Sequence, residues 1–225
     1  MTEFFAQYFG IAPDRLAEAG VETLYMVGFG LLLGTLLAIP IAVALVLTRP
    51  DGILPNKVAY ELLNGAVNIA RSLPFIILMV VVMPLTKAIV GTRIGTTAAL
   101  VPLTLYIGPF IARLFESSLL EVPKGIVEAA QSMGASTWQI IRHFLLPEAW
   151  PSIALAITTG AVTLVSATAM AGYIGGGGIG DIALTYGYQA FNAPLMFLMV
   201  IVLIIFVQSM QSLGNFIARR ARNKA

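Results

Sequence analysis

The sequence predicts an all-α membrane protein with five transmembrane helices, its N-terminus outside and its C-terminus inside. Composition is the first observation. Apolar residues make up 58% of the 225, and charged residues only 11%, against about 25% in an ordinary soluble domain. So few charges cannot cover a water-exposed globule of this size. That excludes a soluble enzyme, a nucleic-acid binder and a disordered linker, and with them any nucleic-acid reading of the net charge of +2. The second observation is a set of charge-free runs, each long enough for the ~20 apolar residues that a spanning helix needs. The third is that runs such as Ile76 to Met83 do not alternate polar with apolar, as strands of a barrel would. Backbone groups in lipid must be satisfied within their own segment, so the spans are helices.

The first span, roughly 23–47, lies between Glu22 and Arg49. The second, 65–86, is interrupted by Arg71 alone, and the third, 94–113, opens after Arg93. The fourth, 154–173, and fifth, 194–214, flank Asp181. Orientation follows from Lys and Arg, which concentrate on the inner face. One face receives Arg49, Lys57, Arg71, Arg113, Lys124, Arg142, Arg219, Arg220, Arg222 and Lys224; the other has Arg15, Lys87 and Arg93. This puts residues 1–19 outside as a short surface segment, with no basic stretch or small-residue cleavage site of a signal peptide. Residues 214–225 become a basic inner tail. Arg71 either snorkels to the inner interface or pairs with Glu61; the alternative is that it lines a transport path.

Several motifs lead nowhere. Gly175, Gly177 and Gly180 match G-x-G-x-x-G, but a dinucleotide site needs a strand before the glycines and a helix after them. They read instead as an external turn. There is no Walker A pattern, no Cys, and a single histidine, His143. No catalytic residues, metal site or cofactor are therefore expected.

Packing signals are clearer. Gly30, Gly34, Ala38 and Ala42 recur every four residues, a smooth stripe on which helices approach closely. The fourth span carries Thr158, Thr159, Thr163, Ser166 and Thr168, an excess of hydroxyls for a helix facing only lipid. Pro40, Pro74, Pro84, Pro102 and Pro109 lie inside spans and invite kinks.

The segment 113–150 is long yet ordered. Pro123 suits a helix start, and Ile126, Ala130 and Met133 share one face. Gly134 stops that helix. Ser136 and Gln139 form a capping box for a second helix through Trp138, Ile140, Ile141, Phe144 and Leu145 up to Pro147. The pair is either a membrane-surface elbow or an elbow that docks a soluble partner.

Glu128-Ala129-Ala130, Gly134 and Leu146-Pro147 together resemble the EAA signature of bacterial type I ABC importer permeases, with Phe144 where Ile is usual. Segments such as Asn68–Leu78, Val101–Thr104, Pro109–Arg113 and Tyr186–Tyr188 are similar to the permease subunits of methionine importers. The resemblance implies a type I ABC importer transmembrane fold over 20–213, with coupling helices at about 123–146. It implies a bacterial inner-membrane permease, two copies of the chain, a separate ABC ATPase that hydrolyses ATP, and an extracytoplasmic substrate-binding protein. Methionine, or another small amino acid or related solute, would be the cargo. On that reading Glu128, Ala129, Ala130, Met133, Gly134, Leu146 and Pro147 couple to the ATPase. Ala129 and Ala130 would permit close approach, and Glu128 would orient the elbow through a polar contact. Ser166, Thr168 and Met170 would line the substrate path. Two rivals compete: an ion-driven secondary transporter, which normally shows ionisable groups deep in spans and an internal repeat, and a non-transporting scaffold.

Overall fold

The computed structural model describes residues 8–222. Helix α1 (Pro13–Thr48) opens on a proline, whose missing N–H is one a helix start leaves unpaired anyway. It therefore takes in residues 13–19, and the expected surface segment merges into the first helix; residues 1–7 lie outside the described region. The stripe of Gly30, Gly34, Ala38 and Ala42 is buried along α1. It packs against α5 (Thr96–Leu120). A Cβ on Gly34 would overlap the Ile107 side chain, so the glycine sets the distance between the two helices.

The second span is not one helix. α2 (Lys57–Ser72) and α3 (Phe75–Val81) meet at 105° across Leu73 and Pro74. Pro74 disfavours a helical residue before it, which ends α2. Val82 then separates α3 from α4 (Met83–Val90), with Pro84 in the first turn of α4. Pro40, Pro102 and Pro109, in contrast, stay inside continuous helices. Among the described residues four helices are long and apolar enough to cross a membrane, and the bent pair, counted as one broken span, makes five.

Arg71 ends α2 on an exposed position, and Glu61 pairs instead with Lys57, one turn away at 3.9 Å. Ten residues of helix put Arg71 and Glu61 ~15 Å apart along the axis, so the Arg71–Glu61 pair does not form. The charge that α2 does engage is on α5. Arg113 donates to Glu116 at 2.5 Å, and to the side-chain oxygens of Asn64 (2.6 Å) and Asn68 (2.9 Å).

After α5 come α6 (Lys124–Ser132) and α7 (Thr137–Ile140). Pro147 does not end the second helix of this pair. The chain widens into a π-helical stretch, Ile141–Leu145, and runs on into α8 (Leu146–Ala171). Pro147 lacks the N–H that would bond to the carbonyl four residues back, and a local widening keeps its ring clear of that turn. A second wide turn (Gly172–Gly176) and the short α9 (Ile179–Asp181) follow. A π-helical segment (Ile182–Gln189) then leads to α10 (Ala193–Arg222). α10 continues through Arg219 and Arg220 to Arg222, so residues 214–222 of the expected tail are its last turns, and residues 223–225 lie outside the described region. At Gly214 a Cβ would overlap Thr158 of α8, so the glycine lets α8 and α10 pack closely there.

The glycine run is no free-standing turn. Gly175, Gly177 and Gly178 have positive φ. The Gly178 N–H donates to Glu22 at 2.6 Å, the Ile179 N–H to Thr23 Oγ1 at 2.9 Å, and the Gly95 N–H to the Gly175 carbonyl at 3.0 Å. Side chains at Gly177 and Gly178 would collide with Glu22 and Thr23. The run thus fastens the third turn of α1 to the start of α5 and the end of α8.

A candidate coupling elbow and a groove along the bundle

The elbow forms because its turn is specified locally at both ends. Met133 caps α6 and Gly134 follows at φ 77°. The Gly134 N–H donates to Gln131 O (2.9 Å) and the Ala135 N–H to Ala130 O (3.0 Å), the paired bonds of a Schellman motif. Two residues on, the capping box is complete. Gln139 N–H donates to Ser136 Oγ (3.4 Å), and Ser136 N–H to Gln139 Oε1 (2.8 Å). Few backbone groups at the bend are left to water, so the elbow holds its angle without a partner.

Its residues divide into two sets. Ala130 has no exposed surface, and Ile140, Ile141 and Leu145 are buried with it against the bundle. Glu128, Ala129, Gly134 and Pro147 are exposed and Leu146 half-buried. Met133 and Trp138 are 71% and 64% exposed. The face expected from Ile126, Ala130 and Met133 therefore splits: Met133 caps the helix, so its side chain leaves the line set by the other two. Ala130 is small because the bundle behind it is close. Under the bend, Met133, Gly134, Ala135, Gln139, His143 and Phe144 surround an open hollow of about 430 Å³.

The elbow is braced from one side. Lys124 Nζ lies 3.2 Å from Asp51 Oδ2, and Arg49 Nε 3.2 Å from Asp51 Oδ1. The hydrogen bond from Lys124, ahead of the other influences, holds the Asp51 carboxyl below its ordinary value. Between this brace and α6 is a cleft of about 190 Å³ whose lining includes Val46, Ile53, Val122 and Gln131. Glu128 lines it too, and makes no ion pair among the described residues.

The expected path residues do not act together. Ser166 and Met170 line an open groove of about 570 Å³ between α8 and α10, with Leu184, Val200, Leu203 and Gln208. Thr168 is buried, its hydroxyl donated to Val165 O at 2.8 Å. Thr158, Thr159 and Thr163 likewise bond to carbonyls of their own helix. Of the five hydroxyls from Thr158 to Thr168, four are thus satisfied locally, the ordinary way a helix in lipid hides them. Ser166 is the exception. Gln208 was not foreseen: a single amide in α10 carries no periodic signal, and only the fold sets it opposite Ser166.

Residues 30–223 match the family described as binding-protein-dependent transport system inner membrane component. The chain belongs to that family. A probable D-methionine transport system permease protein, MetI, of Vibrio cholerae is 51% identical over 97% of each chain. The methionine import system permease protein MetP of Bacillus subtilis is 40% identical over 95% of this chain and 96% of its own. Among solved structures, an inward-facing conformation of the MetNI methionine ABC transporter superposes with a TM-score of 0.91 at 43% identity. That match covers 98% of this chain and 99% of the other. An amino-acid ABC transporter crystallised with histidines shares the fold, with a TM-score of 0.77 at 16% identity. The five-crossing arrangement is thus that of a type I importer permease, a multi-pass component of the inner membrane.

Proposed function

We propose that this permease is the transmembrane subunit of an ATP-driven methionine importer. Two copies form the path, a separate ATPase hydrolyses the nucleotide, and an extracytoplasmic binding protein delivers the amino acid. Its N-terminus lies outside and its C-terminus inside, in keeping with the excess of Lys and Arg on the elbow face. The region from residue 20 to 213 forms the transmembrane domain.

The observation that carries this reading is a rigid elbow that projects Met133 and Trp138 from the bundle. Burying such a side chain in a partner stabilises the contact by ~1.5–3 kcal/mol. A locked bend can then carry rigid-body movement of the ATPase into α5 and α8, which flank it in the chain. On this reading Met133 seats in the ATPase and Ala129 allows its approach, while Gly134 fixes the bend. Ala130 holds α6 on the bundle, Leu146 and Pro147 pass the motion into α8, and Glu128 lines the cleft by the Asp51–Lys124 brace. Ser166 and Met170 contribute the polar and soft apolar lining along which a thioether side chain would pass.

The test is purification from the native host and reconstitution in vesicles. The expected result is a co-purifying ATPase whose hydrolysis is stimulated by methionine-loaded binding protein, with methionine accumulating inside. Uptake driven by an ion gradient without ATP would overturn the reading in favour of a secondary transporter.

A further inference from the structure

The end of the bundle opposite the elbow carries an aromatic residue set in an unusual way. Phe191 stands between the π-helical segment and α10 with φ 55°, the one non-glycine residue with positive φ among those described. A bulky side chain rarely adopts that conformation, yet the turn is built to keep it there. The Phe191 N–H donates to Tyr188 O (3.2 Å), and the Asn192 N–H to Gly187 O (2.8 Å). The Asn192 side chain accepts from the Leu195 N–H at 3.2 Å and donates to the Phe9 carbonyl at 2.7 Å. The ring so held is 94% exposed, and Tyr188, one turn before it, is 70% exposed.

Lipid does not account for this placement. Arg15 lies 3.6 Å from Glu22 and 3.8 Å from Asp181. A cluster of charges like this marks the level of water rather than hydrocarbon. Met199 belongs to the buried cluster of Ala19, Ile179 and Ile182 beside those charges. From Met199 the helix runs six residues, ~9 Å, further out to Ala193, and Phe191 lies beyond its end. A rigidly held ring at that height faces water, where an exposed aromatic pair serves as an anchor for a protein surface.

We infer that Phe191 and Tyr188 form an anchor on which the extracytoplasmic substrate-binding protein docks. This rests on the importer reading, in a family whose members depend on such proteins.

The experiment uses the complete permease–ATPase complex in lipid nanodiscs, titrated with the host's methionine-loaded binding protein while ATP hydrolysis is followed. Phe191→Asn removes the ring and keeps a residue that tolerates the left-handed turn; Phe191→Tyr keeps the ring. With Phe191→Asn the half-stimulating concentration should rise about tenfold or more. Basal and maximal hydrolysis should hold, and the melting temperature should stay the same or rise. Phe191→Tyr should behave as wild type. Tyr188→Ala should shift the titration in the same direction, and it decides the matter if Phe191→Asn does not assemble. Unshifted titrations for both variants would overturn the anchor. So would a defect that disappears in detergent, which would mean a lipid contact. If wild type itself is not stimulated, the importer reading fails, and the anchor with it.

Discussion

Gly134 shows how one residue sets the elbow. Its φ of 77° costs an L-residue ~1–2 kcal/mol, and nothing lies near enough to hinder a methyl group there. Gly134→Ala should therefore lower stability by about that much and leave the complex assembled. Gly134→Pro should do more, because proline cannot take a positive φ and has no N–H to give Gln131. Assembly by gel filtration together with uptake rate would show it: the expected pattern is intact assembly with uptake abolished for the proline. Asp51 offers a pH test of the same region. Its folded-state pKa is depressed by Lys124, so the brace is in place above the ordinary carboxylate pKa of ~4 and weakens only as pH falls through the lowered value. Uptake between pH 5 and 8 should not titrate through this pair, and Asp51→Asn should leave the shape of that profile unchanged. A profile flattened by Asp51→Asn would refute it.

At the scale of elements, the clamp between α2 and α5 is the contact most exposed to a single change. Glu116 is almost wholly buried, and Arg113 is its partner. Arg113→Met would strand a buried carboxylate and release Asn64 and Asn68, a class of change that costs ~3–5 kcal/mol. The double variant Arg113→Met/Glu116→Gln should recover part of that loss, read as melting temperature in detergent. Equal melting temperatures for the single and double variants would mean that Glu116 does not depend on Arg113. This clamp was illegible in the sequence because its partners lie 45 and 49 residues from Arg113. The elbow was legible for the opposite reason. Gly134 and the Ser136–Gln139 box act on neighbours within five residues, and such local bonds leave a pattern in the chain. The direction of Ala130 was not legible, since helical spacing gives a face and not what lies behind it. Pro147 misled in a similar way: a proline reads as a stop, but a widened turn let the helix continue. The bend at Pro74 was visible as a proline, while its angle depends on how α3 and α4 pack on α5.

For the whole molecule, the two ends of the bundle should answer to different partners, and the absence of native cysteine makes this measurable. Met133→Cys and Trp138→Cys put thiols on the elbow's exposed side, Ala130→Cys puts one in the bundle, and Phe191→Cys puts one at the opposite end. Binding of the ATPase should slow maleimide labelling at 133 and 138 by about tenfold or more, as burial at an interface core excludes reagent and water alike. It should leave the rate at 191 unchanged. The thiol at 130 should label slowly with or without the ATPase, because Ala130 has no exposed surface and belongs to the same buried cluster as Ile140, Ile141 and Leu145. Fast labelling at 130 that the ATPase suppresses would mean α6 swings away from the bundle when free. The elbow would then be a hinged arm, and motion at the ATPase would be absorbed in that hinge before it reached α8. Slow labelling throughout supports a rigid lever, in which the same apolar contacts that fold the elbow also transmit force through it.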